Sequence, residues 1–199
     1  MQPVVPFVGL TGGMGAGKST ALKALEELGA QVLSTDVVVH ELYGESPVKD
    51  AVVERWGAEV APGGVVDRAA VAARAFAGGE HERKWLEGLL WPLVGARMGA
   101  WLEHARALRP APKAAVVEVP LLFEAGMEAG FDATIAVIAQ EDTRRARDAT
   151  RGHALAEERA GRQLPQEEKA ARASFVVHND GSVADLRREL ADVLAKLSR

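Results

Sequence analysis

The stretch Gly12 to Thr20, reading GGMGAGKST, restricts this chain more than any other. It follows the apolar run Val4 to Leu10 and opens onto Ala21 to Leu28, which has helical spacing and good helix formers. The pattern is G-x-x-x-x-G-K-[ST], with Gly12, Gly17, Lys18 and Ser19 in the fixed positions. With 20 Gly, 7 Lys and 12 Ser plus Thr, composition alone would produce roughly 0.004 such matches, so chance is a poor explanation. A side-chain-free loop lets backbone N–H groups converge on phosphate oxygens, and the helix N-terminus that follows favours an anion. The nucleotide-binding residues expected are therefore Gly12, Gly13, Met14, Gly15, Ala16, Gly17, Lys18, Ser19 and Thr20. Lys18 supplies a point charge to the β- and γ-phosphates, and the Ser19 hydroxyl is expected to hold Mg²⁺.

A chain of 199 residues is expected to form one compact domain with a sizeable core. Its formal charge of −4 gives no reason to expect a nucleic-acid partner. The absence of cysteine removes disulfides, thiolate metal sites and a cysteine nucleophile. No apolar run approaches a membrane span and no basic-then-apolar leader opens the chain, so a cytoplasmic location without membrane contact is expected. Nothing in the sequence signals an obligate protein partner.

Beyond the loop, Gly29 closes the first helix and Gln31 to Ser34 reads as a second strand. Asp36 then falls where a strand ends and a helix begins, the edge at which open α/β sheets bind ligands. A helix cap is the equal alternative for Thr35 or Asp36. From Pro47 to about Pro110 the pattern is helical and broken: Val48 to Trp56, Asp67 to Phe76, and a long Glu80 to Leu108 that Pro92 is expected to kink or divide. This exceeds a simple crossover and reads as a helical insertion, with Trp56, Trp85, Trp91 and Trp101 assigned to packing. Ala114 to Val119, Thr134 to Ile138 and Ser174 to His178 are further strands, which implies a five-stranded parallel sheet with helices on both faces. Between Arg144 and Arg172 lie eight basic and five acidic side chains, read either as a solvated face or as a lid carrying Arg to phosphate. Ser182 and Asp185 have capping-box spacing ahead of a last amphipathic helix. Glu124, in a loop, reads as a solvated carboxylate.

Several stretches in order resemble the dephospho-coenzyme A kinase family: GLTGGMGAGKST, ERWG at 54–57, DRAAV at 67–71, KWLEGLLWPL at 84–93, EVPLLFEAG at 118–126 and RQLPQEEKAARASFVVHNDG at 162–181. The resemblance spans nearly the whole chain. It implies a P-loop kinase fold with its core at about 1–36, 112–140 and 172–199. A helical coenzyme-binding region would occupy about 37–111 and an Arg-bearing lid about 141–171. It implies transfer of the ATP γ-phosphoryl to the ribose 3′-hydroxyl of dephospho-CoA, with ATP and dephospho-CoA as the small-molecule partners and Mg²⁺ as cofactor.

Carried onto this sequence, the resemblance makes Asp36, Lys18, Arg147 and Arg159 catalytic, and it adds Arg144 and Asn179 to the nucleotide site. Asp36, His40, Leu121 and Arg162 would meet the acceptor, and Ser19, Asp36 and Glu118 the metal. Apart from the resemblance, an ordinary helix-surface residue is the commoner reading of His40. The family's usual D-A-D-x-x-x-R is here Ser34, Thr35, Asp36 and His40, so only its second Asp is present, and Trp91 replaces a usual His. No guanine-reading N-K-x-D or T-K-x-D occurs, which argues against a nucleotide switch; another metabolite kinase would share the loop and lid.

Overall fold

A parallel sheet begins where uninterrupted apolar runs can be buried on both faces. The computed structural model describes residues 4–148 and 163–197. Its strands are β1 (Phe7–Gly12), β2 (Gln31–Ser34), β3 (Ala115–Glu118), β4 (Ala133–Ile138) and β5 (Phe175–His178), all parallel, in the order β2-β3-β1-β4-β5. The helices are α1 (Lys18–Glu27), α2 (Thr35–Leu42), α3 (Ser46–Trp56), α4 (Arg68–Ala77), α5 (Gly79–Ala107), α6 (Glu141–Asp148), α7 (Gln166–Arg172) and α8 (Val183–Leu197).

The described chain forms two compact units, residues 4–34 with 102–197, and residues 35–101. In the first, successive β1 side chains serve opposite faces of the sheet. Val8 and Leu10 join Ala21, Leu25, Leu186, Leu190 and Leu194 in a core that α1 and α8 build. Each such Leu contributes about 1.5–3 kcal/mol relative to exposure. Gly9 faces the other way and has no room for a side chain: a Cβ there would stand 2.4 Å from Leu122 Cδ1. The capping box at α8 is formed, with Asp185 accepting from Ser182 N at 3.0 Å and Ser182 Oγ accepting from Asp185 N at 3.2 Å.

The second unit is helical. Asp67 caps α4, accepting from Ala69 N at 2.8 Å and Ala70 N at 3.3 Å. α5 runs unbroken through Pro92, so the expected division does not occur. The carbonyl that loses its donor there belongs to Gly88, which is exposed like Pro92 itself, so solvent can take the donor's place. Trp56 and Trp85 pack edge to face at 5.0 Å, with the Arg55 guanidinium 5.2 Å from the Trp85 ring centre. Trp91 departs from the packing role expected of it, being 54 % exposed.

Candidate active site

Strand β1 runs two residues further than the apolar run suggests, because Thr11 and Gly12 continue the ladder opposite Ala136 and Val137. The chain then turns through Gly13 to Gly17 and enters α1 at Lys18. Two glycines carry a geometric requirement. Gly15 has φ +71, and a Cβ there would lie 2.7 Å from the Arg144 carbonyl oxygen. Gly17 has φ +92, and its Cβ would lie 2.1 Å from Asn179 Nδ2. No side-chain hydrogen bond caps α1 and no acid occupies its first turn, so its N-terminal amides remain suited to an anion.

Lys18 folds back over the loop, donating to the carbonyls of Gly12 and Gly13 at 3.0 Å each. Ser19 and Thr20 are exposed on the first turn, Met14 is half-buried, and Gly13, Gly15 and Ala16 are buried.

Helix α6 lies on the loop's other side. Arg144 and Arg147 stand three residues apart and so share a face. Arg147 Nη1 reaches the carbonyls of Gly15 at 3.4 Å and Ala16 at 3.5 Å, and its Nη2 donates to Asn179 O at 3.1 Å. The Arg144 guanidinium stands beside Gly13, where a Cβ would be 3.3 Å from its Nη1. Its Nε is buried with no hydrogen-bond partner among the described residues, a donor that a phosphate oxygen would satisfy. Asn179, buried at the end of β5, donates from Nδ2 to Ala16 O at 2.8 Å. Gly15, Gly17, Thr20, Arg147, Asn179, Gly181 and Val183 line a cavity of about 330 Å³ next to the loop.

Glu118 ends β3, 7 % exposed and in register with Leu10 on one side and Ser34 on the other. Leu121 is half-buried in the turn that follows, its carbonyl accepting from Ala125 N at 3.0 Å. Asp36 is exposed at the second position of α2, in the second unit, with the exposed His40 one turn further on. Arg159 and Arg162 lie outside the described residues. No group of three or more His, Asp or Glu that could by itself cage a metal occurs among the described residues. Ser19 and Glu118 are hard oxygen donors, the type Mg²⁺ takes when phosphates and water complete its shell.

In the second unit, a groove of about 990 Å³ runs between Trp56, Trp85, Arg55, Arg74 and Leu89. Glu82 organises it, accepting from Arg55 Nε at 3.0 Å and Trp56 Nε1 at 2.8 Å. The Arg55 hydrogen bond, above all, holds the Glu82 carboxyl below the usual carboxylate range.

Sequence reasoning gave no individual role to Gln166 or Lys169. Gln166 closes the end of β4, accepting from Ala139 N at 3.2 Å and donating to Ala139 O at 2.9 Å. Lys169 is fully buried and paired at 2.9 Å with Glu124, which is therefore not the solvated loop carboxylate expected. The three-residue spacing of Gln166, Lys169 and Arg172 was the available signal, hidden within a charged string.

A sequence model of the dephospho-CoA kinase family matches residues 6–185. A dephospho-CoA kinase from Anaeromyxobacter dehalogenans is 38% identical over 195 residues, covering 96% of this chain and 91% of its own. A second, from Chromobacterium violaceum, is 39% identical over 193 residues, covering 94% and 91%. Among solved structures, one from Thermus thermophilus superposes with a TM-score of 0.76 at 34% identity, covering 96% of this chain and 97% of that one. Phosphate loop, flanking arginines and near full-length similarity converge on one conclusion: the chain belongs to the dephospho-CoA kinase family.

Proposed function

We propose that this chain transfers the γ-phosphoryl of ATP to the ribose 3′-hydroxyl of dephospho-CoA, giving coenzyme A and ADP, the last step of coenzyme A synthesis. The observation that carries the reading is the phosphate loop braced by Arg144, Arg147 and Asn179, in a chain of this family.

Phosphoryl transfer needs little covalent work from the protein, which positions the acceptor, neutralises charge and takes up one proton. The backbone amides of Gly13 to Lys18 cradle the phosphates, and the Lys18 ammonium exchanges its loop carbonyls for β- and γ-oxygens. Arg144 and Arg147 face the nucleotide from α6. Ser19 and Glu118, and on the family resemblance Asp36, are the residues that would hold Mg²⁺, which would supply charge neutralisation to the transfer.

The ribose oxygen forms its bond to the γ-phosphorus as the bond to the β,γ-bridging oxygen breaks. Asp36 accepts the hydroxyl proton and orients the nucleophile. On the family resemblance we assign Leu121, His40 and Arg162 to the acceptor and Arg159 to the transferring phosphoryl group. The substrates are intracellular metabolites, and we assign the chain to the cytoplasm; no helix of the described residues is long and apolar enough to cross a membrane.

A coupled assay of ADP release with and without dephospho-CoA tests the reading. Release that depends on dephospho-CoA, with mass spectrometry showing one added phosphate on it, is expected. ATP turnover indifferent to dephospho-CoA, or faster with a nucleoside monophosphate, would overturn it.

A further inference from the structure

The nucleoside-sized cavity, Arg147 and Asn179 all flank the phosphate loop on the β4–β5 side of β1. On the other side of β1 stands β3, and the turn that follows it carries Leu121, assigned above to the acceptor. The turn at residues 120–126 stands there: Val119 N donates to Leu10 O at 2.9 Å and Thr11 Oγ1 to Pro120 O at 3.3 Å, one residue ahead of Gly12.

What holds that turn is α7. Its side chains at 166, 169 and 172 share one face by helical spacing, and each ties a different piece of chain. Gln166 fixes the backbone of Ala139 and lies beside the phosphate loop, where a Cβ on Gly13 would be 3.7 Å from its own Cβ. Arg172 stacks 4.9 Å from the Phe123 ring centre and pairs with Glu128. Lys169, between them, is wholly shielded from solvent. Its Nζ donates to Pro120 O at 2.8 Å and meets Glu124 Oε1 at 2.9 Å, and the same Oε1 accepts from Leu164 N at 2.8 Å.

Stability is a poor reason for this arrangement. A buried ion pair is commonly no better than apolar groups of the same volume, whereas an ammonium with two fixed acceptors specifies where both of them lie. Here the acceptors are the first residue of the turn and its central carboxylate. Glu124 Oε2, buried with no hydrogen-bond partner among the described residues, leaves that carboxylate dependent on the lysine.

We propose that Lys169, acting through Glu124 and the Pro120 carbonyl, is a positioning residue that fixes the 120–126 turn as a wall of the acceptor site. The acceptor's identity rests on the function proposed above; the tie itself does not.

Two variants and two readouts test this. Lys169→Met strands the Glu124 carboxylate, while Lys169→Met with Glu124→Leu removes the pair and restores an apolar interior that folds. Hydrogen exchange is expected to quicken at the amides of residues 121–127 in both variants and to stay unchanged in α1. In steady-state kinetics, kcat/KM for dephospho-CoA should fall about 10–100-fold, the scale of a misplaced reactant, with Kd for a non-hydrolysable ATP analogue within about twofold. Unchanged exchange in the double variant would overturn the positioning role. Faster exchange with an unchanged dephospho-CoA kcat/KM, or an equal loss for both substrates, would overturn the acceptor wall. Wild-type turnover that ignores dephospho-CoA would instead refute the proposed function, with the exchange comparison still deciding the tie.

Discussion

Replacing Asn179 by Ala removes one hydrogen bond with a definite address. The amide is 5 % exposed and donates to the Ala16 carbonyl at 2.8 Å, in the middle of the phosphate loop. After the change, Arg147 Nη1 still approaches that carbonyl at 3.5 Å, the limit of useful geometry. A buried acceptor left poorly satisfied costs about 1–3 kcal/mol. In a chain of this size that corresponds to a fall in melting temperature of about 2–12 °C. Where the nucleotide must rebuild the loop, the same free energy reappears as weaker binding, about 5- to 150-fold in Kd.

Asn179→Asp sharpens the test, since it sets a carboxylate oxygen against the Ala16 carbonyl and should be worse than Ala on both measures. Differential scanning fluorimetry and calorimetric titration with a non-hydrolysable ATP analogue give the two numbers. Wild-type melting and affinity in Asn179→Ala, or an Asp variant better than the Ala variant, would refute the reasoning.

Lys18→Ala should lower turnover about 10²–10³-fold with an unchanged circular dichroism spectrum, the scale of a lost charge on a transferring group. Asp36→Asn keeps shape and capping ability at the start of α2; it should bind ATP normally yet transfer phosphoryl at least about 10²-fold more slowly, and near-normal turnover would leave Asp36 as a helix residue only. Glu82 has a native pKa below its unfolded value, so its contribution to stability is complete above the ordinary carboxylate value of about 4.3 and is lost as pH falls through the lowered one. Glu82→Gln should therefore narrow the stability difference between pH 7 and pH 3 relative to wild type, as read by urea denaturation at each pH; an identical difference would contradict this.

What the sequence discloses here is whatever is local. The strands announce themselves because a parallel strand buried on both faces has no charged position to interrupt it, as in Ala133–Ile138. The phosphate loop is legible because its constraint is on consecutive residues. Asp67 and the Ser182–Asp185 pair are visible for the same reason. Lys169 and Glu124 are opaque because the partner that gives each its meaning lies 45 positions away, and each in isolation looks like an ordinary surface charge. Pro92 misleads in the other direction: its local penalty is real, but it falls on an exposed face where the lost bond is inexpensive. Trp91, likewise exposed, shows that residue type alone does not decide burial.

The sheet order also governs when this protein can begin to function during its own synthesis. β1 leaves the ribosome first yet sits in the middle of the sheet, and its neighbours arrive much later: Phe7 waits for Ala115, and Val8 for Ala133. The phosphate-binding loop waits longer still, since the amide that braces Ala16 comes 163 residues downstream. A nascent chain therefore carries its whole phosphate-binding motif through most of translation without the scaffold that shapes it. Contacts of such long sequence separation make folding slow, and the unpaired edges of β1 remain exposed until β3 and β4 emerge. ATP, however abundant, meets a competent loop only once synthesis has passed Asn179, so the nucleotide can stabilise the finished fold but cannot guide its assembly.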